Sequence, residues 1–490
     1  MRLRSRILAC ASSLLLLSGC SFGLGSLTGD DSGPVPASTP DSTTPSTPSS
    51  SSSGSSGVLG GLIDLGGGSA GGAKALAVGD EPYAVQVGAQ ILRQGGSAAD
   101  AATAMYFALA VTYPVAAGLG GGGICIVRDA ATSRTEEFDF LARDTAGGGA
   151  YAVPGNVRGF ALMQGIYGAL PWQRDVAPGE GYAAAGFPIS RALAARIATA
   201  KDVIRLDAAL AAEFLDESGA VKAAGTVVSN PDLAATLAII RTGGPNAFYT
   251  GNLGARILAY SSQQGGMIAV PEFARYRAVR SAPQAVQLGN QYVLMPSEHT
   301  GAGAFAGALF DTLQRAMDTN TGSGDLQAAI VVSVKQALTR FRVTDLPQDL
   351  GATGFAATDA NGQAVACAVT MNGPFGSGHN AEGTGVTLAR APSSGAAGLA
   401  AAFITPVIAT DSGGGLTLAG AGAGGPNATA SMGYALARLA HGDEISRRTD
   451  LRSTGVAPFD TINAIICQNG ACAALPDPGA NGLGASGDMH

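Results

Sequence analysis

From about Ala73 the apolar positions follow two patterns. In the first part they recur at helical spacing, in "GGSAADAATAMYFALAVTYP", "ISRALAARIATAK", "PDLAATLAIIRTGG", "GARILAYSSQQGG" and "AFAGALFDTLQRAM". Ser97 is placed to cap the first of these helices, with Asp100 three residues on as its box partner, and Pro114 ends it. After about Gly351 the runs shorten and become strand-like: "GFAATD", "AVACAVTM", "GVTLA", "GLTLAG" and "TINAIICQ". One late helix, "ASMGYALARLAHG", interrupts them. Helices followed by strands predict a layered α+β fold. Between the first helix and "ICIVRD" stands "GLGGGG", in which Gly118, Gly120 and Gly123 match G-x-G-x-x-G. A dinucleotide site needs strand, glycines, then helix. The order here is helix, glycines, strand, so the glycines mark a strand passing close to its neighbours.

The first 73 residues read differently. Arg2, Arg4 and Arg6 precede the apolar run "ILACASSLLLL", a charged start and an apolar core too short to span a bilayer. The run ends in "LSGC", Leu17–Cys20, which resembles the bacterial lipoprotein signal. That resemblance implies removal of residues 1–19, lipid attachment at Cys20 and, with Ser21 next, a place on the outer membrane facing the periplasm. Pro34–Gly57, rich in Ser, Thr and Pro, lacks the apolar residues needed for a core. Residues 20–73 are therefore expected to form a tether, and the lipid is the membrane contact expected.

Composition narrows the partners. The chain has 490 residues and a formal charge of −7, with no basic stripe, so a nucleic-acid partner is not expected. Charged residues make up only 13% of the chain, which points to a closely packed interior. Cys467 and Cys472 flank "QNGA", where an Asn-Gly hairpin turn sets them opposite each other at a non-hydrogen-bonded position. A disulfide is expected there in an oxidising compartment. No Cys or His cluster calls for a metal, and no cofactor is expected. Cys125 and Cys367, in apolar runs, read as buried thiols with a second disulfide as the alternative.

The blocks "ILRQGGSAADAATAMYFALAVTYPVAAGLGGGGICIV", "AVPGNVRGFALMQGIYGALPW", "GGPNAFYTGNLGARIL", "VLMPSEHTGAG" and "NGPFGSG" together resemble the γ-glutamyltranspeptidase family. The resemblance implies a four-layer αββα sandwich of the N-terminal-nucleophile hydrolase type. It also implies a large-subunit region, 74–352, and a small-subunit region, 353–490. Such a family cuts itself before a threonine, whose new α-amine serves as base for its hydroxyl. Carried over residue by residue, the nucleophile position falls on Ala352, and Thr353 stands one place later. Thr370 and Asn372 match the helper threonine and asparagine, and Gly424 and Gly425 match the oxyanion glycines. The substrate-carboxylate arginine falls on Leu141, and Arg143 two places on is the candidate for a displaced carboxylate binder, with a surface ion pair as the alternative. Ala391 and Ser394 replace the Gln and Asp that hold the substrate's amine, and Ala402 and Phe403 replace the family's Ser-Ser pair. An Arg–carboxylate fork has no substitute in leucine. Two readings follow. One is an impaired or inactive homologue that binds a small peptide or amide ligand, or serves as a scaffold. The other is a diverged amide hydrolase or transferase self-activated at Thr353.

Overall fold

The computed structural model describes residues 74–318, 323–453 and 457–488, all within one compact unit. The signal-like and tether-like segments, with Cys20, lie outside the described residues. Two antiparallel sheets stack face to face. The first has seven strands in the order Leu483–Ser486, Leu76–Gly79, Ala352–Thr358, Ala364–Thr370, Gly122–Asp129, Arg134–Asp139 and Val279–Ser281. The second has six: Ala471–Leu475, Thr461–Gln468, Leu416–Ala423, Thr405–Thr410, Gln291–Met295 and Gln284–Leu288. Helices cover both outer faces. Pro82–Arg93 and Ala98–Thr112 pack on the first sheet, and Gly301–Asp318 and Pro426–His441 on the second. This is the expected αββα sandwich.

Ala98–Thr112 is buried on every side, because it lies between the first sheet and the helices Asn156–Tyr167 and Trp172–Ala185. Its capping box is formed as expected: the Asp100 amide donates to Ser97 Oγ at 3.1 Å and the Ser97 amide donates to Asp100 Oδ2 at 2.9 Å. The glycine turn after it is a close-approach device. A Cβ on Gly120 would come within 2.1 Å of the Thr387 carbonyl oxygen, so only glycine fits.

The "GFAATD" and "AVACAVTM" runs pair with each other at the centre of the first sheet, Ala352 opposite Thr370. The strands beside them come from the other half of the chain, Leu76–Gly79 on one side and Gly122–Asp129 on the other. The expected sequence of helices and then strands is corrected in that respect. "GVTLA" shrinks to a two-residue strand, Val386–Thr387.

Both disulfides are cross-strand. Cys467 faces Cys472 and Gln468 faces Ala471 in the expected hairpin, with Asn469 and Gly470 at positive φ in its turn. Cys125 faces Cys367 and the two are bonded, so the reading as free thiols is overturned in favour of its alternative. Neighbouring central strands hold these Cα atoms 4.1 Å apart, with both side chains fully buried.

Candidate active site

One end of the sandwich gathers Ala352, Thr353, Thr370, Asn372, Gly424 and Gly425. It holds the starts of the Ala352–Thr358 and Thr461–Gln468 strands and the ends of the Leu76–Gly79, Ala364–Thr370 and Leu416–Ala423 strands. Gly351, at φ +62°, leads the chain into Ala352. Thr370 Oγ1 donates to the Gly351 carbonyl at 3.0 Å and accepts from the Asn372 amide at 2.9 Å. Asn372 is at φ +57°, and its side-chain amide donates to the Arg390 carbonyl at 2.8 Å. Its Oδ1 is buried without a hydrogen-bond partner. Thr370 thus holds the loop that enters Ala352, and the Asn372 amide fixes its hydroxyl.

Gly424 and Gly425 head the Pro426–His441 helix, where backbone amides point outward and favour an anion. Gly424 is at φ +103°, and a Cβ there would come within 1.9 Å of the Phe459 carbonyl oxygen. The next residue after Phe459, Asp460, accepts from the Asn427 amide, and burial pushes its carboxyl up to about 6.

Ala352 presents a methyl group, buried in an apolar cluster with Ile124, Ala302, Ala368, Ile404, Ala421 and Ala423. Position 352, which the resemblance matches to the nucleophile, therefore carries no hydroxyl. Thr353 lies on the opposite face of the strand, as the alternation of strand side chains requires. It is fully buried, and its Oγ1 donates to Asp80 Oδ2 at 2.7 Å. The same carboxylate accepts from Thr461 Oγ1 at 3.0 Å and from Asn463 Nδ2 at 2.8 Å. Burial raises the Asp80 carboxyl above its ordinary value, against the hydrogen bonds from Asn463 and Thr353.

Arg196 approaches the same peptide group from the other side. Its Nη1 donates to the Ala352 carbonyl at 2.8 Å, and its Nε donates to Asp349 Oδ2 at 3.0 Å within a forked ion pair. Burial opposes its charge, but Asp349 and Tyr113 raise its pKa, so it remains cationic. Tyr113 and Phe459 each present a ring face 5.3 Å from the guanidinium carbon.

The residues that the resemblance matched to substrate contacts stand in different settings. Ala391 and Phe403 are buried, and Phe403 packs edge-on against Phe305 at 4.8 Å. Arg143 lies 3.6 Å from Asp139 and 5.2 Å from the Tyr276 ring, so its charge is already balanced at the rim. Ser394 is exposed. A cavity of about 30 Å³ touches Arg196 and Thr461. A much larger one, about 760 Å³, lies at the opposite end beside the Cys467–Cys472 hairpin. Among the described residues no group of His, Cys, Asp and Glu is arranged to hold a metal.

Sequence reasoning missed Asp80, Arg196 and Asp349. The one local signal was two adjacent acids, Asp80 and Glu81, wedged between an apolar strand and a helix in "LAVGDEPYAV". Buried acids are rarely placed there without a partner.

Residues 84–342 match the family model described as gamma-glutamyltranspeptidase. The curated relatives include glutathione hydrolase 2 of Arabidopsis thaliana, 32% identical over 241 residues, covering 46% of this chain and 42% of that protein. The glutathione hydrolase proenzyme of Escherichia coli K12 is 33% identical over 241 residues, covering 44% of this chain and 41% of its own length. The matched stretch thus spans less than half the length of these relatives. Among solved structures, cephalosporin acylase from Bacillus halodurans superposes with a TM-score of 0.68 at 18% identity, covering 86% of this chain and 97% of that one. That likeness extends over both sheets and establishes the fold. With the αββα sandwich and the family match together, the chain is a member of the γ-glutamyltranspeptidase family with the N-terminal-nucleophile hydrolase fold.

Proposed function

We propose that this chain is a family member that no longer transfers or hydrolyses free γ-glutamyl compounds, and that it works as a binding or scaffolding domain for a small peptide or amide ligand. The observation that carries this reading is Ala352, whose methyl group is packed in an apolar cluster where the family's nucleophile would stand. Leu141 and Phe403 support it, since neither side chain can hold a charged carboxylate or ammonium group. Purified protein incubated with glutathione or a γ-glutamyl anilide is expected to release nothing above the buffer blank. Turnover that Thr353→Ala abolishes would overturn the proposal.

We further propose that the domain is held at the cell envelope by lipid on Cys20, on the outer membrane facing the periplasm. "LSGC" followed by a Ser/Thr/Pro-rich stretch supports this placement. Cys20→Ser is expected to release the protein from the membrane fraction or leave it unprocessed. A mutant that stays in that fraction at the processed size sinks the idea.

A second reading is favoured by one observation. The Ala352–Thr353 peptide group has a carboxylate on the threonine hydroxyl and a guanidinium on the carbonyl. In this reading the chain cuts itself there and Thr353 becomes an N-terminal hydroxyl nucleophile for an amide other than a γ-glutamyl one.

A further inference from the structure

We propose that Asp80 is the general base, and Arg196 the electrophilic donor, for cleavage of the chain's own Ala352–Thr353 bond. This inference rests on the self-processing reading above.

Self-cleavage by a hydroxyl has three requirements at one peptide group. A base must take the hydroxyl proton, a donor must stabilise the carbonyl oxygen as it gains charge, and water must reach the resulting ester. The first two are found at this peptide group, and space for the third lies beside Arg196. Asp80 Oδ2 is 2.7 Å from Thr353 Oγ1, within proton-transfer reach. Arg196 Nη1 is 2.8 Å from the Ala352 oxygen, and Asp349 fixes the direction of the guanidinium. The cavity of about 30 Å³ lined by Arg196 and Thr461 has room for a water molecule with polar partners.

A purely structural role for Asp80 explains part of this geometry. Thr461 and Asn463 belong to the second sheet and Thr353 to the first, so the carboxylate ties the two sheets together. That role does not account for a buried cation spending one of its donors on the carbonyl of the same peptide group. The Asp80 carboxyl is also raised by burial, which makes its anion a stronger proton acceptor than a solvated carboxylate.

The step balances as follows. Asp80 takes the proton from Thr353 Oγ1 as that oxygen bonds to the Ala352 carbonyl carbon. The carbonyl oxygen becomes an oxyanion held by Arg196. The bond from that carbon to the Thr353 nitrogen then breaks while Asp80 returns the proton to the nitrogen. An ester joins Ala352 to the Thr353 side chain. Water hydrolyses the ester, leaving a carboxylate on Ala352 and a free amine and hydroxyl on Thr353.

The test is a time course of the full-length chain by intact mass and denaturing gel, with sequencing of the smaller fragment. On the self-processing reading, wild type is expected to yield a Thr353–His490 fragment, and Thr353→Ser to yield it with Ser at position 353. Asp80→Asn keeps the shape of the side chain but turns one of its two acceptor oxygens into a donor, and should slow cleavage by about 100-fold or more. Arg196→Lys should slow it as well, since one ammonium cannot serve both Asp349 and the carbonyl in the forked geometry. In wild type the cleavage rate should rise with pH as Asp80 ionises, and this rise should vanish in Asp80→Asn. A wild-type chain that stays whole defeats the self-processing reading itself. Wild type that cuts while Asp80→Asn cuts equally fast overturns only the assignment of Asp80. If Asp80→Asn fails to fold, the wild-type profile decides, and a flat one removes Asp80 as the base.

Discussion

The Cys125→Ala, Cys367→Ala double variant unfolds at a clearly lower temperature and denaturant concentration than wild type, and loses far more than the Cys467→Ala, Cys472→Ala double variant. The two bridges have the same cross-strand geometry but close very different loops. Cys125 and Cys367 are 242 positions apart, while Cys467 and Cys472 are 5 apart. On chain-entropy grounds the first bridge contributes about 5 kcal/mol and the second about 2 kcal/mol. Burial widens the difference: removing the sulfurs of Cys125 and Cys367 leaves space in a closed core, whereas the hairpin pair is only half-buried. For a domain of this size the first double variant should melt roughly 5 °C or more below wild type. Non-reducing calorimetry checks this, and equal losses in the two variants would show that loop length is not what the bridges act through.

Raising the pH from about 5.5 to about 8.5 should destabilise the protein, with no single residue changed. Among the raised acids, four carry the largest effect in this range; Glu81, Glu137 and Asp175 are buried and Glu213 is half-buried. Burial pushes Glu81 up to about 8, with Ser190 and the Tyr83 amide as its hydrogen-bond donors. Burial pushes Glu137 up to about 7; one of its oxygens accepts from the Ser297 amide and the other has no partner. Glu213 is pushed up to about 8 by burial beneath Asn230. Asp175 is pushed up to about 9, by burial first and then by Asp100 beside it. In each case the folded value lies above the ordinary carboxylate value of about 4. Between those values the folded chain keeps a proton that the unfolded chain has lost. Stability therefore falls as pH rises through that window and is greatest at its acid end. Each such group contributes on the order of 1.4 kcal/mol per pH unit of its window. Glu136 works in the opposite direction, because its hydrogen bonds to Arg280 hold its carboxyl low, but its contribution is lost only below the usual carboxylate range. A melting temperature several degrees higher at pH 5.5 than at pH 8.5 is expected. A flat or reversed profile would mean that these acids are hydrated in solution.

Several features of this protein follow from local sequence alone. The Ala98–Thr112 helix with its Ser97–Asp100 box, the Asn-Gly hairpin and the central strand pair are settled by contacts close along the chain. The close approach at the glycine turn could also be anticipated, because helix, glycines and strand in that order leave little else for the glycines to do. The family blocks brought Thr370, Asn372, Gly424 and Gly425 to the same end of the sandwich as Ala352 and Thr353. Other features were decided by tertiary structure. Leu76–Gly79 is four residues long, buried on both faces and without alternation, so it becomes a strand only where Ala352–Thr358 and Leu483–Ser486 supply its hydrogen bonds. The Cys125–Cys367 bond depends on a register between strands more than 200 positions apart, which no local pattern encodes. Asp80, Arg196 and Asp349 are separated by more than 100 positions and look like ordinary surface charges in the sequence. Only the packed end of the sandwich buries them, and that burial sets a carboxylate on the Thr353 hydroxyl and a guanidinium on the Ala352 carbonyl.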